Sequence, residues 1–482
     1  MAKDRSFSMR AMLAVGICKT SRELLHLLGK GGTSLPGILA AAADPKILEE
    51  ASAGMQVFIV TGTNGKTTTA RMLAAACTLA GKNCLQNRSG ANLLAGITAE
   101  FACSATWRGR AKRDCAVIEC DEAALKQVVP HIHPDVIIVT NLFRDQLDRY
   151  GEVMGTRAEI LKGIAAAPDS ILCLNADCSL TASLADDPPA VPADDPPAGP
   201  AAARPGRTMY YGLNVPAGEK NETGLSDAKY CIRCGTAYRY NYHTYAHLGG
   251  FWCPNCGYRR PEPDAAVTGI AGAKAEPPRI RLRIRLPAGE KEYDVQAGLP
   301  AVYNIYNAAA AVCGGLAAGL PVEALLRAIG QSGAAFGRME TFYAGSVRMQ
   351  MILVKNPAGC NQAIGYVTGT EEDYDVVFGL NDRTADGHDI SWIWDVDYET
   401  MARDPHLKKV YVCGVRAEDM QLRLKYAGFC TGGITLEKDL KQLAARLKHS
   451  SRPVFILPNY TAMLEMRQQF QTWTDKDAFW KG

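Results

Sequence analysis

The stretch Val60-Thr61-Gly62-Thr63-Asn64-Gly65-Lys66-Thr67-Thr68-Thr69 decides how the rest of the chain is read. An apolar run, Val57-Phe58-Ile59-Val60, precedes it and predicts a buried strand; a helical pattern over residues 67–79 follows. Strand, glycine turn and helix are the context a phosphate-binding loop requires. Gly62 and Gly65 let backbone N–H groups close on phosphate oxygens, and the helix N-terminus favours negative charge there. Lys66 is expected to reach the β- and γ-phosphates of ATP, and the Thr67 hydroxyl to hold Mg²⁺. The common pattern has a glycine five residues before Gly65, where this chain has Val60. Gly-Lys-Thr in the right context outweighs that single departure.

Around this loop, 482 residues are enough for two or three domains with sizeable cores. A net charge of +3 asks for no nucleic acid. No apolar run approaches the roughly 18 residues of a membrane span. Lys3, Arg5 and Arg10 precede a short apolar run at 11–18, a faint likeness to a signal peptide. Lys19 and Arg22 then follow with no small-residue cleavage site, so the expectation is an amphipathic helix lying on a protein neighbour or a membrane surface. Sixteen cysteines, many in apolar settings such as Cys77, Cys173, Cys313 and Cys413, suit reduced core thiols and a cytoplasmic location.

Apolar runs at 55–60, 115–118, 136–139 and 171–174 alternate with helical patterns, which predicts a parallel sheet with covering helices. A Pro/Ala/Asp segment at 181–208 repeats Ala-Asp-Asp-Pro-Pro-Ala and cannot bury a core; a mobile surface loop is expected. The chain returns to α/β character at 279–286, a half-exposed strand. After Gly337-Arg338-Met339-Glu340 a second unit begins, with strands at 347–354, 374–380, 409–413 and 453–457 and helices at 418–427 and 462–471. The expected organisation is a helical segment over 1–50, an ATP-binding domain over 51–340 and a smaller Rossmann-like α/β domain over 341–482.

Within 228–262, Cys231-Ile232-Arg233-Cys234 and Cys253-Pro254-Asn255-Cys256 are two CxxC pairs separated by 18 residues. That spacing suits a four-cysteine zinc site, and Gly235 and Gly257 suit the knuckle turns. Four thiolates around Zn²⁺ leave no open position, so this zinc is expected to be structural and apart from the chemistry. Tyr238, Tyr240, Tyr242, Tyr245 and Trp252 lie between or beside the pairs, with Arg233, Arg239, Arg259 and Arg260 around them. Such a mixture can bind single-stranded nucleic acid; the core of a small ribbon is the preferred reading.

Glu119 ends the strand at 115–118, with Asp121 and Glu122 close behind. Ligands gather at the carboxyl ends of parallel strands, so Glu119 is placed to hold a nucleotide-bound Mg²⁺ directly or through water. The next strand ends in Thr140-Asn141-Leu142-Phe143-Arg144-Asp145-Gln146-Leu147-Asp148-Arg149-Tyr150-Gly151. With residues 61–68, 117–122, 174–177 plus Asn307, and 337–340, this segment completes five blocks in order. Their sum resembles the Mur ligases, ATP-dependent enzymes that join an amine to a carboxylate. By that resemblance Asn304 or Asn307 meets the adenine, Arg338 meets the phosphates, and Thr63, Asn64 and Thr68 belong to the loop.

Departures narrow the resemblance. The loop begins near residue 60, which leaves no room for the family's UDP-sugar-binding domain. Gln146 stands where the family has histidine. Ile160 stands where many members carry a carbamylated lysine, with Lys162 near. The cysteine ribbon is an insertion. Asn356-Pro357-Ala358-Gly359-Cys360-Asn361 and the segment Asn381-Asp382-Arg383-Thr384-Ala385-Asp386-Gly387-His388-Asp389-Ile390-Ser391-Trp392-Ile393-Trp394-Asp395 are similar to the MurT family, synthetase subunits of lipid II isoglutaminyl synthase.

What this resemblance implies is ATP-dependent amidation of the D-glutamate α-carboxylate in the lipid II stem peptide, at the inner face of the membrane. The resemblance also implies a glutamine amidotransferase subunit, GatD, as the ammonia source. Asp389 would complete that partner's triad by orienting its imidazole, or else would only cap the following turn. Trp392 and Trp394 would anchor the partner or belong to the core. Cys360 lacks the strand–elbow–helix setting of a nucleophile. Three other readings compete: another acid–amine ligase such as a folylpolyglutamate synthase, a nucleic-acid-associated ATPase using the ribbon, and a non-catalytic scaffold suggested by Gln146 and Ile160.

Overall fold

A computed structural model describes residues 9–28, 32–87, 90–145, 153–186, 208–217, 227–272, 276–333 and 337–470. Gln146 and residues 187–207 of the Pro/Ala/Asp segment lie outside the described residues.

In chain order the strands are β1 (Gln56–Thr61), β2 (Cys84–Gln86), β3 (Cys115–Glu119), β4 (Val136–Val139), β5 (Ile171–Asn175) and β6 (Thr208–Leu213). A hairpin of β7 (Arg239–Tyr245) and β8 (Leu248–Trp252) follows, then β9 (Ala265–Ala271), β10 (Arg279–Leu286) and β11 (Gly289–Gln296). The last strands are β12 (Arg338–Ala344), β13 (Val347–Ile352), β14 (Tyr374–Gly379), β15 (Leu407–Cys413), β16 (Ile434–Leu436) and β17 (Val454–Pro458).

The first sheet has nine strands in the order β11-β10-β9-β6-β5-β4-β1-β3-β2. It is parallel from β2 to β9, and β10 and β11 extend it antiparallel. Strand β1 lies between β3 and β4, so the chain order reverses there, which places a ligand crevice beyond its carboxyl end. Every residue of β3 and β4 is buried, which is why they read as unbroken apolar runs and not as alternating ones. The helices Lys66–Leu79 and Val302–Ala317 pack together against this sheet.

Helices Met9–Leu27, Leu35–Ala43 and Ile47–Ser52 pack on the helix Leu94–Ser104. Ala11, Ala14, Val15 and Cys18 join the same apolar core as β1. Arg22 and Glu100 pair bidentately across that contact, at 2.9 and 3.2 Å, so neither buried charge is left alone.

The second sheet runs β12-β13-β17-β14-β15-β16, parallel except for the β12–β13 hairpin. Strand β14 is buried along its whole length and separates two apolar clusters, one on each face. Strands anticipated at 55–60, 374–380 and 453–457 differ from β1, β14 and β17 by a residue at their ends. Strands β6 and β9 were not anticipated; glycine and alanine dilute the β-branched signal in Thr208–Leu213 and Ala265–Ala271.

Candidate active site

The turn after β1 has the conformation its glycines allow. Gly62 and Gly65 have φ of 112° and 89°, in the left-handed region. A Cβ on Gly62 would stand 2.5 Å from Thr140 Oγ1, and one on Gly65 would stand 2.0 Å from Asn307 Oδ1. The loop is pinned from outside: the backbone N–H of Asn64 donates to Asn141 Oδ1 at 2.9 Å, and Asn141 Nδ2 donates to the Asn64 carbonyl at 3.1 Å. Thr63 Oγ1 exchanges hydrogen bonds with the backbone of Phe143. Asn141 thereby fixes the loop on one side and leaves the helix start at Gly65–Thr68 facing the crevice, the arrangement a phosphate would need.

Lys66 opens the helix Lys66–Leu79 and is buried. Its ammonium donates to the Gly62 carbonyl at 2.6 Å and to Glu122 Oε1 at 2.8 Å. Burial pulls its pKa down, yet Glu122, Glu119 and Asp121 outweigh that and hold the ammonium above the ordinary lysine range. Glu122 moves up as well, because burial costs its charged form more than Lys66 returns. The Thr67 hydroxyl donates to Glu119 Oε2 at 2.6 Å, so the two groups expected to share Mg²⁺ are side by side. Asn87 fixes the end of β3: Glu119 N donates to its Oδ1, and its Nδ2 donates to the Glu119 carbonyl, both at 2.8 Å. A hydroxyl and a carboxylate facing each other at the acidic end of β3 fit an oxygen-loving divalent cation.

A cleft runs from Asn64, Gly65 and Thr68 towards Tyr303, Asn304, Asn307 and Arg338, and Tyr245 forms part of its wall. Asn307 Nδ2 donates to Asn304 Oδ1 at 3.2 Å, and Asn304 Nδ2 to the Pro300 carbonyl at 2.7 Å, so both amides are oriented. Arg338 starts β12, between Gly337 and Met339, both of which have positive φ. Glu340 holds this turn: it accepts from Gly337 N at 2.8 Å and from Arg467 at 3.0 and 3.1 Å. The sequence reading missed Arg467, because its partner lies 127 residues earlier in the chain.

Among the described residues that line this cleft, none is a lysine that could replace the missing one. Ile160 is fully buried in the core. Lys162 is 54% exposed and paired at 2.7 Å with Glu159, which also binds Lys126.

The cysteine module is a pair of similar knuckles. Isolated bridges Tyr230–Ala237 and Trp252–Arg259 close them, and Cys231 N and Cys253 N each donate across the turn at 2.7 Å. The four sulfurs of Cys231, Cys234, Cys253 and Cys256 lie within 4.8 Å of one another, and Cys256 N approaches Cys253 Sγ at 3.5 Å. That donor set fits a tetrahedral thiolate-bound ion. Tyr238, Phe251 and Tyr258 form a small apolar cluster with the cysteines.

The module does not stand apart from the cleft. The β7–β8 turn is buried against the first domain: Thr244 Oγ1 lies 2.7 Å from Tyr306 OH, which donates to Asp177 Oδ2 at 2.5 Å. Tyr245 stacks on Phe143 with ring centroids 5.7 Å apart. His247 Nε2 is 3.3 Å from Cys178 Sγ, both fully buried. Burial opposes the charges of that pair, but their attraction lowers the thiol and raises the imidazole.

The second unit is joined to the loop by side chains. Asn356 caps the helix Pro357–Val367 through Gly359 N at 2.8 Å and donates to Asn64 Oδ1 at 3.0 Å. Lys355 pairs with Asp145 at 2.7 Å and Arg144 with Asp395 at 2.7 Å. Cys360 is fully buried and its thiol is pushed up to about 12 by that burial, which does not make a nucleophile. Asp389 lies beyond β14, and its Oδ1 accepts from Ser391 N at 2.8 Å. Trp392 is buried, whereas Trp394 is 48% exposed and meets Tyr426, 71% exposed, edge-on.

A phosphate loop at the switch point of a parallel sheet, closed by a second α/β unit, defines an ATP-dependent ligase of the Mur type. The Mur ligase middle-domain profile matches residues 60–190. Solved structures share this fold: a pseudomurein peptide ligase type C from Methanothermus fervidus has a TM-score of 0.63 at 18% identity, over 89% of this chain and 80% of that one. MurF from Thermotoga maritima, in complex with ADP, has 0.58 at 13%, over 92% and 85%. The chain belongs to the MurT family: the MurT ligase C-terminal profile matches residues 353–463, and a lipid II isoglutaminyl synthase (glutamine-hydrolyzing) subunit MurT from Streptococcus pneumoniae is 32% identical over 96% of this chain and 97% of that one. The subunit of the same name from Staphylococcus aureus is 31% identical over 96% and 98%.

Proposed function

We propose that this chain is the synthetase subunit of a lipid II isoglutaminyl synthase, amidating the α-carboxylate of D-glutamate in the stem peptide to D-isoglutamine. The carrying observation is the 32% identity over almost the full length of both chains, together with an intact Lys66–Thr67–Glu119 constellation. A carboxylate oxygen attacks the γ-phosphorus of ATP and ADP leaves. Ammonia then attacks the carbonyl carbon of the acyl phosphate, phosphate leaves, and the nitrogen sheds a proton. Lys66, the N–H groups of Gly65–Thr68 at the helix start and Arg338 meet the charge on the phosphates. Asn304 and Asn307 meet the adenine, with Tyr245 against the same cleft. Thr67 and Glu119 would hold Mg²⁺, which supplies charge neutralisation when bound. Cys231, Cys234, Cys253 and Cys256 would hold a structural Zn²⁺.

Ammonia is scarce as free base near neutral pH, and the chain offers no glutaminase nucleophile at Cys360. A glutamine amidotransferase subunit of the GatD type is therefore the proposed partner, with Trp394 and Tyr426 as its aromatic anchors. Asp389 retains an oxygen, Oδ2, that accepts no hydrogen bond from the described residues, so capping Ser391 does not use up the carboxylate. That oxygen is suited to orienting a partner imidazole. The work would be done at the inner face of the membrane; among the described residues, no helix is long and apolar enough to cross one.

The direct test is mass spectrometry of lipid II incubated with this protein, Mg-ATP and high ammonium, without a partner. The expected product has OH replaced by NH₂, with ADP released in step. Absence of product both there and after adding the glutaminase and glutamine would sink the reading.

A further inference from the structure

We propose that the two N-terminal helices, with the loop carrying Trp107, form a surface that docks on an anionic lipid bilayer. The inference rests on the proposed function for its lipid-linked substrate, and it gives that substrate's membrane a place on the molecule.

The helix Met9–Leu27 is apolar on two opposite sides. Ala11, Ala14, Val15 and Cys18 face the core. Met9, Leu13, Leu24 and Leu27 recur at intervals of 4, 11 and 3 residues, which places them on one outward stripe. They are 80%, 59%, 57% and 84% exposed. The neighbouring helix Leu35–Ala43 carries no charged side chain, and Leu35, Ile38 and Leu39 face outward at i, i+3, i+4. Among the described residues, 18 large hydrophobic side chains are exposed and nine of them lie between residues 9 and 39, so this is a patch and not scatter.

The rim of the patch is basic. Trp107-Arg108-Gly109-Arg110-Ala111-Lys112-Arg113 carries four positive charges, against Asp114 next in the chain and the Glu50 carboxylate beside Gly109, so the loop keeps a basic excess. Trp107 is 61% exposed. Lys19 of the first helix stands 4.7 Å over its ring and donates to the Ala105 carbonyl at 2.8 Å, which ties loop and helix into one surface. An apolar stripe beside tryptophan and clustered Lys/Arg is the chemistry of an interfacial segment, and anionic headgroups supply the opposite charge.

The placement suits a headgroup substrate. Both N-terminal helices pack on Leu94–Ser104. The start of that helix adjoins the acidic end of β3, where Asp121 N donates to the Asn92 carbonyl at 3.0 Å. Eleven residues of helix rise about 16 Å, so a membrane along this flank lies within a large headgroup's length of the phosphate loop.

The test is flotation of the full-length protein with vesicles of phosphatidylcholine alone or mixed with phosphatidylglycerol, without ATP or substrate. Its outcome is therefore independent of whether amidation occurs. The expected result is binding to the anionic vesicles at least about tenfold above the neutral ones, weakened by salt. Lys112→Gln should lower it about fivefold, and Trp107→Ala or Leu13→Gln/Leu24→Gln should lower it further. All these sites are exposed, so ATP turnover should be unchanged and should report intact folding. Failure to bind anionic vesicles, or equal binding to neutral ones, would overturn the proposal. So would a wild-type dimer that Leu13→Gln/Leu24→Gln converts to monomers, or loss of the glutaminase partner from the same variant, since the patch would then be a protein interface.

Discussion

At the scale of single residues, the site turns on a buried cation between carboxylates. Lys66→Ala should abolish ATP turnover. It also leaves Glu122 buried without its partner, which costs about 3–5 kcal/mol. Lys66→Ala/Glu122→Gln should therefore recover much of the stability in denaturant titrations and none of the turnover. The pH sign follows from the direction of the shift. Lys66 is held above its unfolded value, so its stabilisation is complete below the ordinary lysine range and is lost only as pH rises through the folded value. The stability deficit of Lys66→Ala should stay flat from about pH 7 to about 9 and shrink only in stronger alkali. Lys66, Thr67 and Glu119 were legible because each sits at a set offset from a strand end. Glu122 as the partner of Lys66 was not, since 56 residues separate them.

At the scale of elements, the β7–β8 hairpin changes what the cysteine module is for. Its knuckles were legible from two CxxC pairs, and its aromatics do form a core. Its turn, however, reaches Tyr306, Phe143 and Cys178, and Tyr245 reaches the cleft. Tyr245→Ala should raise the KM for ATP by about five- to a hundredfold with little change in kcat, because an aromatic wall contributes about 1–3 kcal/mol of binding to a base. Removing metal with a chelator should raise the same KM and loosen the ribbon, read as faster hydrogen exchange at residues 231–258. An unchanged KM after metal loss would restore the ribbon to a separate ornament. The turn of Arg338 belongs to this scale too. Arg467→Ala leaves Glu340 buried and unpaired, so it should lower thermal stability and ATP turnover together.

At the scale of the whole molecule, the proposed reaction is shared between the two α/β units and a partner subunit. Asn64–Asn356, Asp145–Lys355 and Arg144–Asp395 bind the units around the loop. Asp389 lies on the second unit, outside the cleft. Asp389→Asn should therefore spare amidation driven by ammonium and stop amidation driven by glutamine in the complex. Equal loss with both nitrogen sources would remove Asp389 from the partner's triad and leave it as the cap of Ser391.

The sequence by itself determined the strand, turn and helix around the loop and most of the buried strands, but not β6 or β9. Apolar runs of strand length, glycines at a turn and the Gly-Lys-Thr start of a helix are local signals, and β1, β3, β4, β10 and β14 lie where they predicted. The tertiary structure alone decided which distant side chains meet. Arg467 with Glu340, Asn356 with Asn64, and Tyr245 with the cleft at Gly65 and Asn307 join residues far apart in sequence. The reason is physical: spacing encodes which face a residue presents, whereas a contact across the chain depends on how whole elements pack.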